Sequence, residues 1–148
     1  PWDTLRFLEG TWEAFEEDIF RVTQSYRFVL DQQFLEMRTH AVFWPSEERP
    51  EGETHEDFGI FSYDRARKTF VLRAFYSEGF VNTYILEPSD DPNVLTFTTE
   101  AVQNAPEGTR ARLVFRRISE DEVEQSFFVA WPAEEFTCTQ RYRLRRVG

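Results

Sequence analysis

Residues 54–76 read THEDFGIFSYDRARKTFVLRAFY, and this stretch decides the fold. Two runs with the period-two alternation of β-strands, residues 54–63 and 69–76, flank a polar connection. A connection this short joins neighbouring antiparallel strands, because a parallel crossover needs about a dozen residues or more. The stretch therefore predicts a β-hairpin.

The same pattern recurs along the whole chain. After a short helical or 3₁₀ turn at residues 4–8, we predict ten strands near residues 11–17, 20–30, 34–44, 54–63, 69–76, 80–87, 94–101, 109–119, 122–130 and 136–147. Most connections are of hairpin length, so sequential strands pair, and pairing of the first strand with the last removes both free edges. We predict an all-β fold of one domain over residues 1–148, an antiparallel up-and-down β-barrel.

The composition is consistent with this fold and argues against several kinds of site and partner. Aromatic residues make up 17% of the 148-residue chain, which favours pleated strands. The single cysteine, Cys138, excludes an intramolecular disulfide and a structural zinc site. The net charge of -10 argues against nucleic-acid and anionic-membrane partners. Arginines cluster near the C-terminus, where alternation places most of them on one solvated or carboxylate-paired strand face.

Localisation is predicted from what the sequence lacks. No apolar run approaches the roughly 18 residues that a membrane-spanning helix needs. The first residues, Pro1 to Thr4, have neither the charged nor the apolar region of a signal peptide. We expect a cytoplasmic protein that does not bind membranes.

Two short motifs lie at the ends of the chain. Gly10-Thr11-Trp12 joins the opening turn to the first strand, and the last strand contains Arg143 and Arg145. These ends resemble the calycin superfamily, which includes lipocalins and fatty-acid-binding proteins. The resemblance implies a barrel plugged at one end by Trp12 under an arginine of the last strand, here Arg143 or Arg145. Stacking of a guanidinium on an indole stabilises such a plug by about 0.5–2 kcal/mol.

Length, strand number and the opening Leu8-Glu9-Gly10-Thr11-Trp12 look closest to the nitrobindin-like or heme-binding-like branch, and above all to its uncharacterised bacterial members. That resemblance implies ferric heme, held by a histidine on the late strands, and chemistry on reactive nitrogen species. This chain has no histidine after His55, and in the corresponding region only Cys138 could coordinate iron. We therefore predict no cofactor and keep heme as an alternative.

Polar residues within aromatic strands are the candidate ligand-binding residues. They are Glu36, Arg38, His40, His55, Arg73, Asn82, Tyr84, Gln140 and Tyr142. If they point inward, they give the barrel a cavity with a few convergent polar groups. The opposite phase of the third strand puts Leu35, Met37, Ala41 and Phe43 inside and leaves Glu36 and Arg38 in water. Period two alone does not choose between the phases.

No catalytic or metal site is predicted. The chain has no Gly-x-Ser-x-Gly elbow, and of His55-Glu56-Asp57 only His55 and Asp57 share a strand face, which is too few ligands for a metal. The leading hypothesis is a module that binds a small apolar or amphipathic molecule inside the barrel. The alternatives are a nitrobindin-like heme protein and an interaction domain that presents loops such as residues 45–53. A homodimer is left open.

Overall fold

The β-hairpin predicted from residues 54–76 is present and forms part of a complete barrel. The computed structural model describes residues 1–148. Two 3₁₀ turns, Trp2–Thr4 and Arg6–Leu8, precede ten strands: β1 Gly10–Glu16, β2 Phe20–Val29, β3 Phe34–Phe43, β4 Glu53–Asp64, β5 Thr69–Tyr76, β6 Val81–Leu86, β7 Val94–Gln103, β8 Arg110–Ser119, β9 Glu122–Ala130 and β10 Thr137–Arg146. Every predicted strand exists, with bounds that differ by two residues at most.

Each strand pairs with its sequence neighbours, and β10 pairs with β1 to close the sheet. The closing pair has Trp12 opposite Arg146 and Glu13 opposite Arg145. The prediction of a ten-stranded antiparallel up-and-down barrel is therefore confirmed. None of the helical segments has the length and apolar character that crossing a membrane requires.

Burial settles the phase of β3. Leu35, Met37 and Ala41 are buried, whereas Arg38 and His40 are exposed. The apolar side chains join a continuous core inside the barrel. Withdrawing them from water stabilises the fold more than burying Glu36 and Arg38 as an ion pair would.

One end of the barrel, here called the closed end, is sealed by the N-terminal turns. Leu5 and Leu8 are fully withdrawn from water, and Trp12 is 1% exposed. The Trp12 indole Nε1 donates a hydrogen bond of 2.8 Å to the Leu8 carbonyl, so the plug has no unpaired polar atom. The predicted role of Trp12 as the plug agrees with this packing.

The arginine over Trp12 is Arg146, rather than Arg143 or Arg145 as predicted. Its guanidinium carbon lies 4.3 Å from the centre of the Trp12 ring. Arg143 and Arg145 point outward toward Glu122, with N–O distances of 2.6 and 3.6 Å. Since successive strand residues alternate, the buried Leu144 fixes the phase that brings Arg146 inward.

Gly10 makes room for this arginine. Its φ of +126° lies where side chains are rarely tolerated, and a Cβ there would meet Arg146 Nη1 at 2.7 Å. Arg146 uses the space to donate to the carbonyls of Glu9 and Phe7 at 2.6 and 2.9 Å. The glycine before Trp12 is therefore part of the closed end.

Candidate ligand-binding site

A cavity of about 360 Å³ lies at the opposite, open end of the barrel, where the connections β3–β4, β5–β6, β7–β8 and β9–β10 meet. Its lining comes from those connections and from the inward faces of the strands that lead to them: Met37, Phe43, Arg49, Glu53, His55, Asp57, Tyr76, Glu78, Phe80, Asn82, Val102, Ala105, Thr109, Arg110, Ala111, Leu113, Gln125, Phe127, Val129, Trp131, Thr139 and Gln140.

The cavity wall is largely apolar and aromatic. Met37 and Leu113 are core residues of the barrel, and Phe43 and Phe127 pack against that core. Trp131 reaches the rim, where it remains 49% exposed. Exposed aromatic side chains at the entrance of an apolar cavity give an incoming ring or alkyl chain a surface to contact.

His55 is held between two carboxylates in this cavity. Its Nε2 lies 3.2 Å from Asp57 Oδ2, and its Nδ1 lies 2.6 Å from Glu78 Oε2. Hydrogen bonding to Asp57, together with the bond to Glu78, raises the pKa of His55 to about 9 although burial opposes this. At neutral pH both ring nitrogens therefore carry protons and donate. An imidazolium in this state is neither a general base nor a metal ligand.

A group of buried polar residues on β5 and β6 adjoins His55. The hydroxyls of Tyr76 and Tyr84 are 2.6 Å apart, and Asn82 Nδ2 donates to the Tyr84 hydroxyl at 3.0 Å. Burial raises the pKa of Tyr84 to about 12 and that of Tyr76 well above its ordinary value. Both tyrosines are neutral at physiological pH. Their role here is to position polar groups, since neither is ready to lose a proton.

Three buried oxygen atoms of the lining residues have no hydrogen-bond partner. They are Asp57 Oδ1, Asn82 Oδ1 and Gln125 Oε1. A fourth, Thr39 Oγ1, lies on the neighbouring strand directly opposite Asp57. An unpaired buried acceptor costs about 1–3 kcal/mol, and native proteins contain few of them. Three of the four belong to residues that line one cavity.

The structure brings some of the candidate residues together and separates others. His55, Asn82 and Gln140 line the cavity. Tyr84 and Tyr142 also point inward, Tyr84 under the cavity and Tyr142 against Phe20 with ring centres 5.5 Å apart. Four lie on the outer face of the barrel: Glu36, Arg38, His40 and Arg73.

The outer residues follow from the phase of β3. Glu36 and Arg38 form an ion pair with an N–O distance of 2.6 Å on the outer face of the barrel. His40 does not approach His55, because it is paired in register with Glu56, whose side chain also points outward. Its Nε2 lies 3.8 Å from the Glu56 carboxylate.

Sequence reasoning did not select Glu78 or Gln125 for the site. The period-two pattern does indicate an inward position for Gln125, because this residue shares a strand face with the apolar residues Val123 and Phe127. Glu78 lies in the β5–β6 turn, and nothing in its local sequence separates it from the other surface glutamates. It reaches His55 because the β4–β5 pairing, with Asp57 opposite Tyr76 and Ser77 N–H bonded to the Glu56 carbonyl, continues to place residue 78 beside residue 55.

The residues present do not fit a heme. Cys138 is exposed, does not line the cavity, and directs its Sγ to the Gln140 carbonyl at 3.4 Å. The only histidine in the cavity has both ring nitrogens bound to carboxylates. No group of three or more His, Cys, Asp and Glu side chains is arranged to hold a metal ion.

Comparison with known proteins gives a structural likeness. No protein-family model matches the chain, and no protein of curated function matches its sequence. Among solved structures, the crystal structure of Rv2717c from M. tuberculosis has a TM-score of 0.70 and 14% sequence identity, over 99% of this chain and 97% of that chain. At this identity the likeness concerns the fold alone.

Proposed function

We propose that this protein is a binding module that holds a small, partly apolar molecule in the cavity at the open end of its barrel. The cavity of about 360 Å³ falls within the range of about 300–1,000 Å³ that is usual for small-molecule sites. The calycin-like shape supports the proposal, because barrels of at least eight strands can leave an interior for a ligand.

The observation that carries the proposal is the set of unpaired buried oxygens in an apolar surrounding. Asp57, Asn82 and Gln125 line the cavity, and each has a buried side-chain oxygen without a hydrogen-bond partner in the protein. A site that encloses an apolar body and anchors it by a few polar atoms has this composition. Catalysis has less support, since His55, the side chain best suited to proton transfer near neutral pH, is locked as an imidazolium.

Titration with N-phenyl-1-naphthylamine, which is uncharged at neutral pH and fluoresces in apolar surroundings, tests the proposal. The wild-type protein should enhance its fluorescence in a saturable manner. Ala105→Trp, which places a large ring in the lining, should abolish the enhancement. Ala101→Trp is the matched control, because Ala101 is exposed on β7 and does not line the cavity.

Absence of saturable binding to the wild-type protein would count against the proposal. So would equal binding by Ala105→Trp when circular dichroism shows that this variant is folded, since the probe would then be bound elsewhere.

A further inference from the structure

We propose that the cavity selects a small organic cation, namely a protonated amine attached to an aromatic or aliphatic body. This inference rests on the proposed function, because it names the class of molecule that the same cavity binds. It is carried by the charge of the inner cavity, by the kind of hydrogen-bonding atoms left unpaired, and by the aromatic residues around them.

The inner part of the cavity carries excess negative charge. Asp57 and Glu78 bring two carboxylates to the single imidazolium of His55. Nearer the rim, Arg49 and Glu53 neutralise each other, with Arg49 Nε 2.7 Å from Glu53 Oε2. One negative charge therefore remains uncompensated among the groups around His55, and a monovalent cation would balance it.

The three unpaired atoms of the lining residues are carbonyl or carboxylate oxygens, which accept hydrogen bonds. Asp57 Oδ1 belongs to a carboxylate whose other oxygen already receives His55, and its side chain is only 12% exposed. Asn82, which is 4% exposed, uses its amide nitrogen on Tyr84 and leaves its oxygen free. Gln125 adds a third oxygen. An ammonium group offers three N–H donors and no acceptor, which matches this set, whereas a carboxylate would add further acceptors.

Aromatic rings complete the surroundings of a cation. Tyr76 and Phe127 have ring centres 6.4 Å apart, and both line the cavity. The face of an aromatic ring attracts a cation by about 0.5–2 kcal/mol, more strongly where water is excluded. The same rings provide apolar contact for the body of the amine.

The arginines of the lining do not make it an anion site. Arg49 is paired with Glu53 and lies 4.7 Å from the centre of the Phe43 ring. Arg110 donates to the Glu134 carbonyl at 2.8 Å and stacks on Phe136. Arg49 is thus neutralised by a carboxylate, whereas Arg110 keeps its charge but is exposed, so that solvent screens it. The net charge of -10 also raises the concentration of cations near the entrance.

Three probes that share one skeleton test the charge preference: 2-phenylethylamine, 2-phenylethanol and 3-phenylpropionate, titrated calorimetrically at pH 7. We expect the amine to bind at least tenfold more tightly than the alcohol, and the carboxylate to bind most weakly. Equal or tighter binding of the carboxylate would overturn the inference. If N-phenyl-1-naphthylamine binds while the amine has no advantage, the cation inference fails and the proposed function stands; if none of the four binds, both fail.

Asp57→Asn tests whether the preference for the amine arises at the Asp57 carboxylate. The change keeps the shape and removes the charge, so affinity for 2-phenylethylamine should fall at least tenfold, and by more than the affinity for N-phenyl-1-naphthylamine. Glu56→Gln, a change of the same kind on the outer face of β4, should leave both affinities unchanged. Glu78→Gln is a second variant in case Asp57→Asn does not fold, and it should weaken amine binding in the same direction. An undiminished amine preference in either folded variant would overturn the inference.

Discussion

The two ends of the barrel use similar residues in opposite ways. At the closed end, Arg146 and Trp12 combine a cation with an aromatic ring, and their polar atoms are paired with the backbone. At the open end, His55 and Tyr76 bring a cation close to another aromatic ring, with centres 6.2 Å apart, beside oxygens that have no partner. Complete pairing provides stability at the closed end, and incomplete pairing at the open end is what supports the proposal of a bound molecule. The residue types alone do not distinguish these two uses.

Truncation of the plug should have the largest effect on stability. Trp12→Ala removes a fully buried indole and leaves a void beneath the 3₁₀ turns, so we expect a loss of about 3–5 kcal/mol in the free energy of unfolding. Urea denaturation at equilibrium measures it. Trp44→Ala, at a tryptophan that is 37% exposed outside the strands, should cost much less. Equal costs at the two positions would show that the closed end has no special role.

The open end should make stability depend on pH. The pKa of His55 is raised from 6.5 to about 9 in the folded protein. Its contribution is therefore fully present below pH 6.5 and is lost as the pH rises through 9, to a total on the order of 3 kcal/mol. Urea midpoints at pH 6 and pH 10 measure the loss of stability. In His55→Gln the part of this loss that is due to His55 should be absent. A wild-type difference that survives in His55→Gln would have to come from other groups.

Substitutions of Arg146 and Arg143 test which arginine stabilises the closed end. Arg146→Met leaves the carbonyls of Phe7 and Glu9 without their donor, so we expect a loss of about 2 kcal/mol. Arg143→Met removes only an exposed pair with Glu122 and should change the free energy of unfolding by less than about 1 kcal/mol. Thermal or urea unfolding measures the stability of both variants. A larger loss in Arg143→Met than in Arg146→Met would contradict the packing of Arg146 on Trp12.

The smallest predicted effect has the opposite sign. Gln125→Met removes an unpaired buried oxygen at nearly constant volume and should leave stability unchanged or raise it by up to about 1 kcal/mol. Gln24→Met, at a residue whose side-chain oxygen accepts from the Tyr26 hydroxyl at 2.8 Å, should instead be destabilising. Destabilisation by both substitutions, measured by urea denaturation, would mean that Gln125 is paired in solution.

The barrel was predictable because short connections and period-two patterns are local properties of the sequence. The phase of β3 was not, since Leu35 and Met37 alternate with Glu36 and Arg38, and only packing against the other strands separates a buried face from a solvated one. The plug shows the same limit. Alternation grouped Arg143 with Arg145, but which face meets Trp12 depends on the register between the first and last strands.

The site was predictable only in part for a related reason. Alternation along β4 indicated that His55 and Asp57 share a face, and they do form a pair. Glu78 follows His55 by 23 positions in the sequence, and their contact depends on the register of the β4–β5 hairpin, which pairs Asp57 with Tyr76. The unpaired oxygen of Gln125 depends on every neighbouring side chain, so no spacing rule would reveal it.

The strand pair that closes the barrel leaves one edge partly unused. β1 and β10 share only two residue pairs, Trp12 with Arg146 and Glu13 with Arg145, whereas β1 and β2 share seven. No residue of β10 before Arg145 is paired with β1. This length of backbone is a place where a strand from another molecule could add and start aggregation. Arg141 and Arg143 project into solvent along it, and charged side chains on an exposed edge oppose such addition. The outward arginines of the last strand therefore oppose strand addition at the edge that β1 leaves uncovered.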